Sequence, residues 1–335
     1  MAPKPEALLC PRPEGLYCPP GDFFIDPVRP VDRAVITHGH SDHARAGHGT
    51  VLATAATLDI MAERYGADFT GQAQPMAYGE SLSRDGVEVS LAPAGHVLGS
   101  AQAVVRWKGL TIVVSGDYKR RRDPTCAPFE PVACEVFVSE ATFALPVFRH
   151  PPDTDEIGKL LRSVGQFPER AHLVGAYALG KAQRIICLLR EAGYDRTIYV
   201  HGAMEKLNAL YERHGVALGP LAPATSADGD LAGEIIIAPP GALAERWARR
   251  FADPVSAFAS GWMGVRARAR QRAVELPLVI SDHADWDELT RTVAELRPAE
   301  LWITHGREEA FARWAALNDI AARPLSLVGY EDEDV

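Results

Sequence analysis

Three histidines and an aspartate fall within a single short run, Thr37-His38-Gly39-His40-Ser41-Asp42-His43, in the pattern H-x-H-x-D-H. Imidazole nitrogens and a carboxylate oxygen suit zinc or a similar borderline ion. So dense a set reads as serving two adjacent ions rather than one. The preceding residues, Val31 to Ile36, read as a short buried strand running into a loop, and such a strand end holds several ligands around one point. A lone histidine is ordinarily a core or surface residue. Four ligand-type side chains at this spacing favour the metal reading over that one.

The chain has 335 residues, 47% of them hydrophobic, which is enough for a large core and for two domains. No apolar run reaches membrane-spanning length. The N-terminal stretch is rich in proline and has no continuous apolar segment of the secretory kind. Cys10, Cys18, Cys126, Cys134 and Cys187 form no C-x-x-C pair and read as reduced packing residues, so a cytoplasmic protein is expected. The net charge of −9 argues against an overall cationic surface, but local basic clusters remain. These are Lys119-Arg120-Arg121-Arg122, the alternating Arg266, Arg268, Arg270 and Arg272, and Arg246, Arg249 and Arg250. Taken singly, each reads as a solvated surface, except the first, which follows a candidate ligand.

The elements that must position these residues share one theme. Strands are predicted over 86–92, 101–107, 110–115 and 133–139, and the last two run into Asp117 and Glu140. After Pro146 the pattern alternates helix and strand: helix 155–164, strand 171–177, helix 180–192 closed by Gly193, strand 196–200 and helix 204–214. Strand-then-ligand segments return with 276–280 before Ser281-Asp282-His283-Ala284-Asp285, and 301–304 before His305-Gly306. The chain therefore reads as one discontinuous metal domain (1–145 and 256–330) with an insertion (146–255) and an acidic tail (331–335).

In order along the chain, His38, His40, Asp42, His43, His96 in Pro93-Ala94-Gly95-His96, and Asp117 in Ser115-Gly116-Asp117-Tyr118 resemble the metallo-β-lactamase superfamily. That likeness implies an α/β fold, a four-layer αββα sandwich with a dinuclear metal site. Ser139-Glu140-Ala141-Thr142, Gly175 to Arg184, Ser281 to Asp285 and Thr304-His305-Gly306 resemble the motifs of the β-CASP nucleases, here with a short β-CASP-like α/β insertion. The opening Gly15-Leu16-Tyr17-Cys18-Pro19 and Gly21 to Pro27, with Asp117-Tyr118-Lys119-Arg120 and Asp123 to Phe129, look like the bacterial ligase-associated DNA exonuclease family. The histidine at 305 matches the RNA-acting members.

This resemblance implies that His38, His40 and His96 hold one divalent ion, that Asp42, His43 and His305 hold a second, and that Asp117 bridges them. The ions would be zinc, with manganese also suited, and would activate a water for phosphodiester hydrolysis. His283 is the candidate general acid, oriented by Glu140. Asp26 either supports a ligand histidine or caps the Pro27 turn, and His48 stabilises its loop. Lys119, Arg120, Arg121, Lys181 and Arg184 are candidates for phosphate contacts that read no sequence. The implied substrate is DNA, single-stranded or at an end, in repair with an ATP-dependent ligase and a helicase. The alternatives are an RNA-processing nuclease of the RNase J kind, a thioester or lactam hydrolase, and a non-catalytic scaffold.

Overall fold

Val87–Pro93 and Ala101–Trp107 are buried on both faces over most of their length, as strands at the centre of a layered domain must be. A computed structural model describes residues 3–226, 231–272 and 274–325, the side chain of His305 excepted; the acidic tail lies outside the described residues. The chain divides into two compact units. One comprises residues up to Arg149 and those from His283 onward, and the other is His150–Asp282.

In the first unit a short helix α1 (Pro5–Leu8) leads into β1 (Cys10–Arg12), β2 (Gly15–Cys18), β3 (Phe23–Ile25), β4 (Arg33–Val35), β5 (His48–Ala53), α2 (Ala55–Tyr65) and β6 (Thr70–Pro75). Next come β7 (Ser81–Arg84), β8 (Val87–Pro93), β9 (Ala101–Trp107), β10 (Leu110–Val114) and β11 (Val136–Ala141). The second unit contributes α3 (Asp153–Gln166), β12 (His172–Gly175), α4 (Lys181–Glu191), β13 (Ile198–Val200), α5 (Glu205–Arg213), β14 (Leu221–Pro223), β15 (Ile235–Ala238), β16 (Val255–Ala259), α6 (Arg266–Gln271) and β17 (Leu276–Leu278). The chain then completes the first unit with α7 (Trp286–Leu296), β18 (Glu300–Gly306), α8 (Glu308–Leu317) and β19 (Ala321–Pro324).

Among the described residues the first unit holds two sheets, in the orders β1-β2-β3-β4-β5-β6 and β19-β18-β11-β10-β9-β8-β7. Their inner faces meet in one apolar core, to which Leu16, Ile25 and Val35 contribute from one sheet and Leu91, Val105 and Val138 from the other. Leu58 and Met61 of α2 cover the outer face of the first sheet. Leu289 and Val293 of α7, with Phe311 of α8, cover the outer face of the second. Helix, sheet, sheet and helix thus stack in the four layers expected, each apolar face buried against the next.

The second unit is a parallel sheet, β14-β13-β15-β12-β16-β17. The insertion expected to end at 255 runs on to Asp282. The reason is backbone pairing: β16 hydrogen-bonds to β12, and β17 to β16, so both extend this sheet. No helix among the described residues is long and apolar enough to cross a membrane.

Two glycines set the loops above the first unit's strands. Gly95 has φ +75°, and a Cβ there would lie 2.4 Å from the Lys119 carbonyl oxygen. Gly116, just before Asp117, has φ +54° and would put a Cβ 2.6 Å from Thr37 Oγ1. Left-handed backbone and close approach both favour the residue without a side chain. Gly116→Ala is expected to lower unfolding stability by about 1–3 kcal/mol, as measured by urea denaturation of the metal-free protein.

Candidate metal centre

The H-x-H-x-D-H run forms the loop after β4, where a tight turn brings the amide N–H groups of His43 and Ala44 to the His40 carbonyl at 3.2 and 2.7 Å. His96 sits between β8 and β9, where Ser100 Oγ accepts from the N–H of His96 and of Val97 at 3.1 and 3.2 Å. Asp117 follows β10. The loops are tied together: Ala101 N–H donates to the Thr37 carbonyl at 2.7 Å, and Lys119 N–H to that of Ala94 at 3.1 Å. Strand ends thus supply the ligand loops, and backbone hydrogen bonds hold them in register.

The side chains converge on Asp117. Its Oδ2 lies 3.3 Å from His38 Nε2, 3.6 Å from His43 Nε2 and 3.7 Å from His96 Nε2. His96 Nε2 is 3.0 Å from His40 Nδ1, and His43 Nε2 is 3.5 Å from Asp42 Oδ2. All six residues are buried. Two ligand groups result, His38-His40-His96-Asp117 and His38-Asp42-His43. The backbone of β18 carries His305 past the register shift opposite Ser139 and Ala141. Its side chain, the remaining expected ligand, lies outside the described residues.

The hydrogen-bond network tests whether these groups suit metal ions. Asp26 Oδ2 accepts from Thr37 Oγ1 at 2.6 Å, so the Thr37 hydroxyl has its single proton committed. Thr37 Oγ1 then accepts from His38 Nδ1 at 3.1 Å, which leaves His38 Nε2 as a lone pair facing a carboxylate. Among the described residues, His38 Nε2 and Asp42 Oδ1 are buried with no hydrogen-bond partner. Opposed buried lone pairs are unfavourable unless a cation lies between them, and the nitrogen and carboxylate donors match zinc or manganese. The residues present fit such ions.

Asp26, left open by the sequence, is a support. Its Oδ2 accepts from His43 Nδ1 at 2.8 Å, and its Oδ1 accepts from Thr37 N–H at 2.7 Å. This turns His43 Nε2 toward Asp42 and Asp117. The only local sign of it is an aspartate at a strand end, and its partners lie eleven or more residues away. Asp26→Asn is expected to weaken metal binding about 10–100-fold, read by competition with a chelating dye.

Glu140 lies within β11, one residue beyond the expected strand end, and is buried. Its Oε1 accepts from Tyr118 N–H at 2.8 Å, and its Oε2 faces His283 Nδ1 at 3.0 Å. The Tyr118 carbonyl accepts from Ala284 N–H at 2.7 Å, so this carboxylate spans the loops on either side of it. His283 Nδ1 is 4.0 Å from Asp117 Oδ2. Asp285 caps α7, accepting from Glu288 N–H at 3.0 Å, and so anchors the segment that carries His283.

The expected phosphate contacts need correction. Lys119 is buried. Arg120 bonds Thr292 at 3.0 Å and Glu295 at 2.7 Å, and Arg121 pairs with Asp285 at 3.0 Å, so these two tie their loop to α7. In the second unit Lys181 and Arg184 are also buried: Lys181 pairs with Asp282 at 3.0 Å, and Arg184 with Asp153 and the Ser281 carbonyl. Their aliphatic stems and charges are spent inside the fold. His48 accepts from Val31 N–H at 3.2 Å and stabilises its loop, as expected.

Burial pushes the His38 and His96 imidazoles below the ordinary range. Burial also disfavours the charged form of His43, but Asp42, Asp117 and Asp26 outweigh it and raise His43 to about 10. The signs oppose. Stabilisation from a raised histidine is complete below the unfolded value and disappears as pH climbs toward about 10. That from the lowered pair is complete above the unfolded value and disappears as pH falls below it. The melting temperature of metal-free protein should therefore peak near the unfolded histidine value of about 6.5 and decline on both sides. Thermal melts in chelator check this, and His43→Gln should flatten the alkaline limb.

A metallo-beta-lactamase superfamily model matches residues 26–170, which span the strands and loops that present all the described ligands. The chain carries a metallo-beta-lactamase superfamily domain. It is 29% identical to a probable DNA ligase of Opitutus terrae over 87% of this chain and 28% of that protein. It is 31% identical to cleavage and polyadenylation specificity factor subunit 3 of Dictyostelium discoideum over 35% of this chain and 16% of that one. It is likewise 31% identical to endoribonuclease ysh1 of Aspergillus fumigatus, over 37% and 14%. The chain thus spans less than a third of the length of these curated relatives. A crystal structure of a protein of unknown function from Enterococcus faecalis V583 shares the fold at TM-score 0.60 and 13% identity, covering 89% of this chain and 80% of that one.

Proposed function

We propose that this protein is a metal-dependent DNA exonuclease that hydrolyses phosphodiester bonds, working in repair beside an ATP-dependent ligase. The observation that carries the reading is the Glu140–His283 pair set against Asp117: a proton donor oriented by a buried carboxylate, beside a donor set for two cations. A ligand cluster alone serves many hydrolases. A phosphodiester leaving oxygen also needs a proton, and this pair supplies one.

His38, His40 and His96 would hold one ion, Asp42, His43 and His305 the other, and Asp117 both. When bound, the ions supply an activated water and offset charge on the phosphoryl oxygens. The protein's own groups do the rest. Asp26 and Thr37 fix which nitrogens of His43 and His38 face the centre. Glu140 holds the Nδ1 proton of His283, so the proton for the leaving oxygen comes from Nε2. The free cysteines suit a reducing cytoplasm.

Support for DNA comes from the relative named a probable DNA ligase, matched over most of this chain. Because the match takes only 28% of that protein, a nuclease-like segment there shares a polypeptide with other sequence, which supports work alongside a ligase. A helicase enters through the family resemblance alone. The second reading is an RNA-processing nuclease. The endoribonuclease-named relatives favour it, over a smaller share of the chain.

The test uses single-stranded DNA, duplex DNA and RNA, each labelled at the 5′ or 3′ end, with zinc or manganese. Stepwise shortening of DNA, lost in Asp42→Ala, is expected. Cleavage confined to RNA would move the assignment to the second reading, and no cleavage at all would remove both. His283→Ala and Glu140→Gln should lower kcat by about 10²–10⁴-fold while metal content stays at the wild-type level.

A further inference from the structure

The arginines at 246–250 and 266–272 take no part in the metal centre, yet the fold brings them to one face of the second unit's sheet. The link from β15 to β16 steps over β12, and the link from β16 to β17 steps onward in the same direction. Right-handed crossovers that advance one way across a parallel sheet lie on the same face. Side chains place them there directly. A Cβ at Gly175 would meet both Phe258 of β16 and Leu243 of the first link. At the end of the second link, the Arg272 guanidinium lies 5.1 Å from the Phe258 ring centroid.

Residues 246–272 contain seven arginines, no lysine and a single acid, Asp253, for a net charge of +6 in a chain of −9. Arg246, Arg249, Arg250, Arg266, Arg270 and Arg272 are exposed. Arg268 is half-buried, with its guanidinium 3.9 Å from the Trp262 ring centroid. Among the described residues none of the six exposed guanidiniums is in an ion pair. Of the nearest acids along the chain, Glu245 is exposed and, among the described residues, in no ion pair with them, and the other two are already engaged. Arg170 holds Asp253 at 3.3 Å and Glu275, the next acid along the chain, at 2.9 Å. Six like charges on one face repel each other and neutralise no carboxylate of this chain, whereas a polyanion laid across them gains from every one.

We infer that this arginine face binds the phosphate backbone of a nucleic-acid strand and holds the substrate of the reaction proposed above, a reading on which the choice of polyanion rests. Guanidinium forks match phosphate oxygens two at a time and stay charged at any working pH. Contacts to phosphate alone read no sequence, so the face grips strands irrespective of base order. An acidic protein segment is the competing occupant, and a nucleic acid is favoured because its charge repeats regularly along its length.

The experiment compares full-length wild type with R246Q/R249Q/R250Q/R266Q/R270Q/R272Q. Arg268 is spared because it packs on Trp262. With chelator present so that nothing is cut, anisotropy of a labelled single-stranded oligonucleotide is followed across a salt series. The expected result is affinity reduced at least about tenfold, with a log K against log salt slope shallower by about 0.7 for each phosphate that is no longer neutralised. Lysine at the same six positions should keep most of the slope. Unchanged affinity and slope in the glutamine variant would overturn the inference, as would wild type that binds polyglutamate but no nucleic acid. If circular dichroism shows the sixfold variant unfolded, the triple variants at 246/249/250 and 266/270/272 replace it under the same criteria. Hydrolysis of a small chromogenic phosphodiester by manganese-loaded wild type tests the catalytic reading separately. Arginine-dependent binding without that hydrolysis keeps the face and removes the nuclease, and hydrolysis without arginine-dependent binding does the reverse.

Discussion

Asp117 Oδ2 stands within 3.7 Å of three imidazole nitrogens, all buried, and the first unit is organised around keeping those groups together. Unsolvated lone pairs repel, so the arrangement holds only if the surrounding fold outweighs the repulsion or a cation removes it. The rigid parts are the two sheets, whose strand ends deliver each ligand loop. The loops bond to one another through their backbones, so moving one ligand would mean breaking hydrogen bonds in two loops.

Two carboxylates that stand behind the ligands do comparable work. Asp26 joins Thr37 and His43, and through the Thr37 hydroxyl it also sets the tautomer of His38. Glu140 joins Tyr118 and His283. Each fixes an imidazole by accepting a hydrogen bond from its Nδ1, the usual way a protein aims a histidine. In the proposed reaction one pair would serve metal binding and the other proton transfer, so a single device would have two uses.

The basic residues divide in an unexpected way. Lys181 and Arg184, expected to reach phosphates, are buried with Asp282 and Asp153, where they fasten the start of α4 to the segment that ends the second unit and to the start of α3. Arg120 and Arg121 fasten the loop after Asp117 to α7. The arginines that read as ordinary solvated surface are the ones left exposed without carboxylate partners. Sequence shows charge but not whether a carboxylate from a distant segment has claimed it.

What the sequence determined by itself was a set of candidate side chains: the H-x-H-x-D-H run, Asp117, Glu140 and His283 after predicted strands, and His96 through its motif. The four-layer arrangement was also legible, because the ordered motifs resemble the metallo-β-lactamase superfamily, whose fold that likeness implies. The tertiary structure alone decided what depends on contacts between remote segments. Asp26 became a support for His43, seventeen residues on, because β3 pairs with β4. β16 and β17 joined the second unit because strand pairing, which local pattern does not specify, carried them there. Asp282, a partner of both Lys181 and Arg184, comes from about a hundred residues away. Ligand identity is a property of side chains and their spacing; burial, tautomer and ion pairing are properties of what the fold brings alongside them.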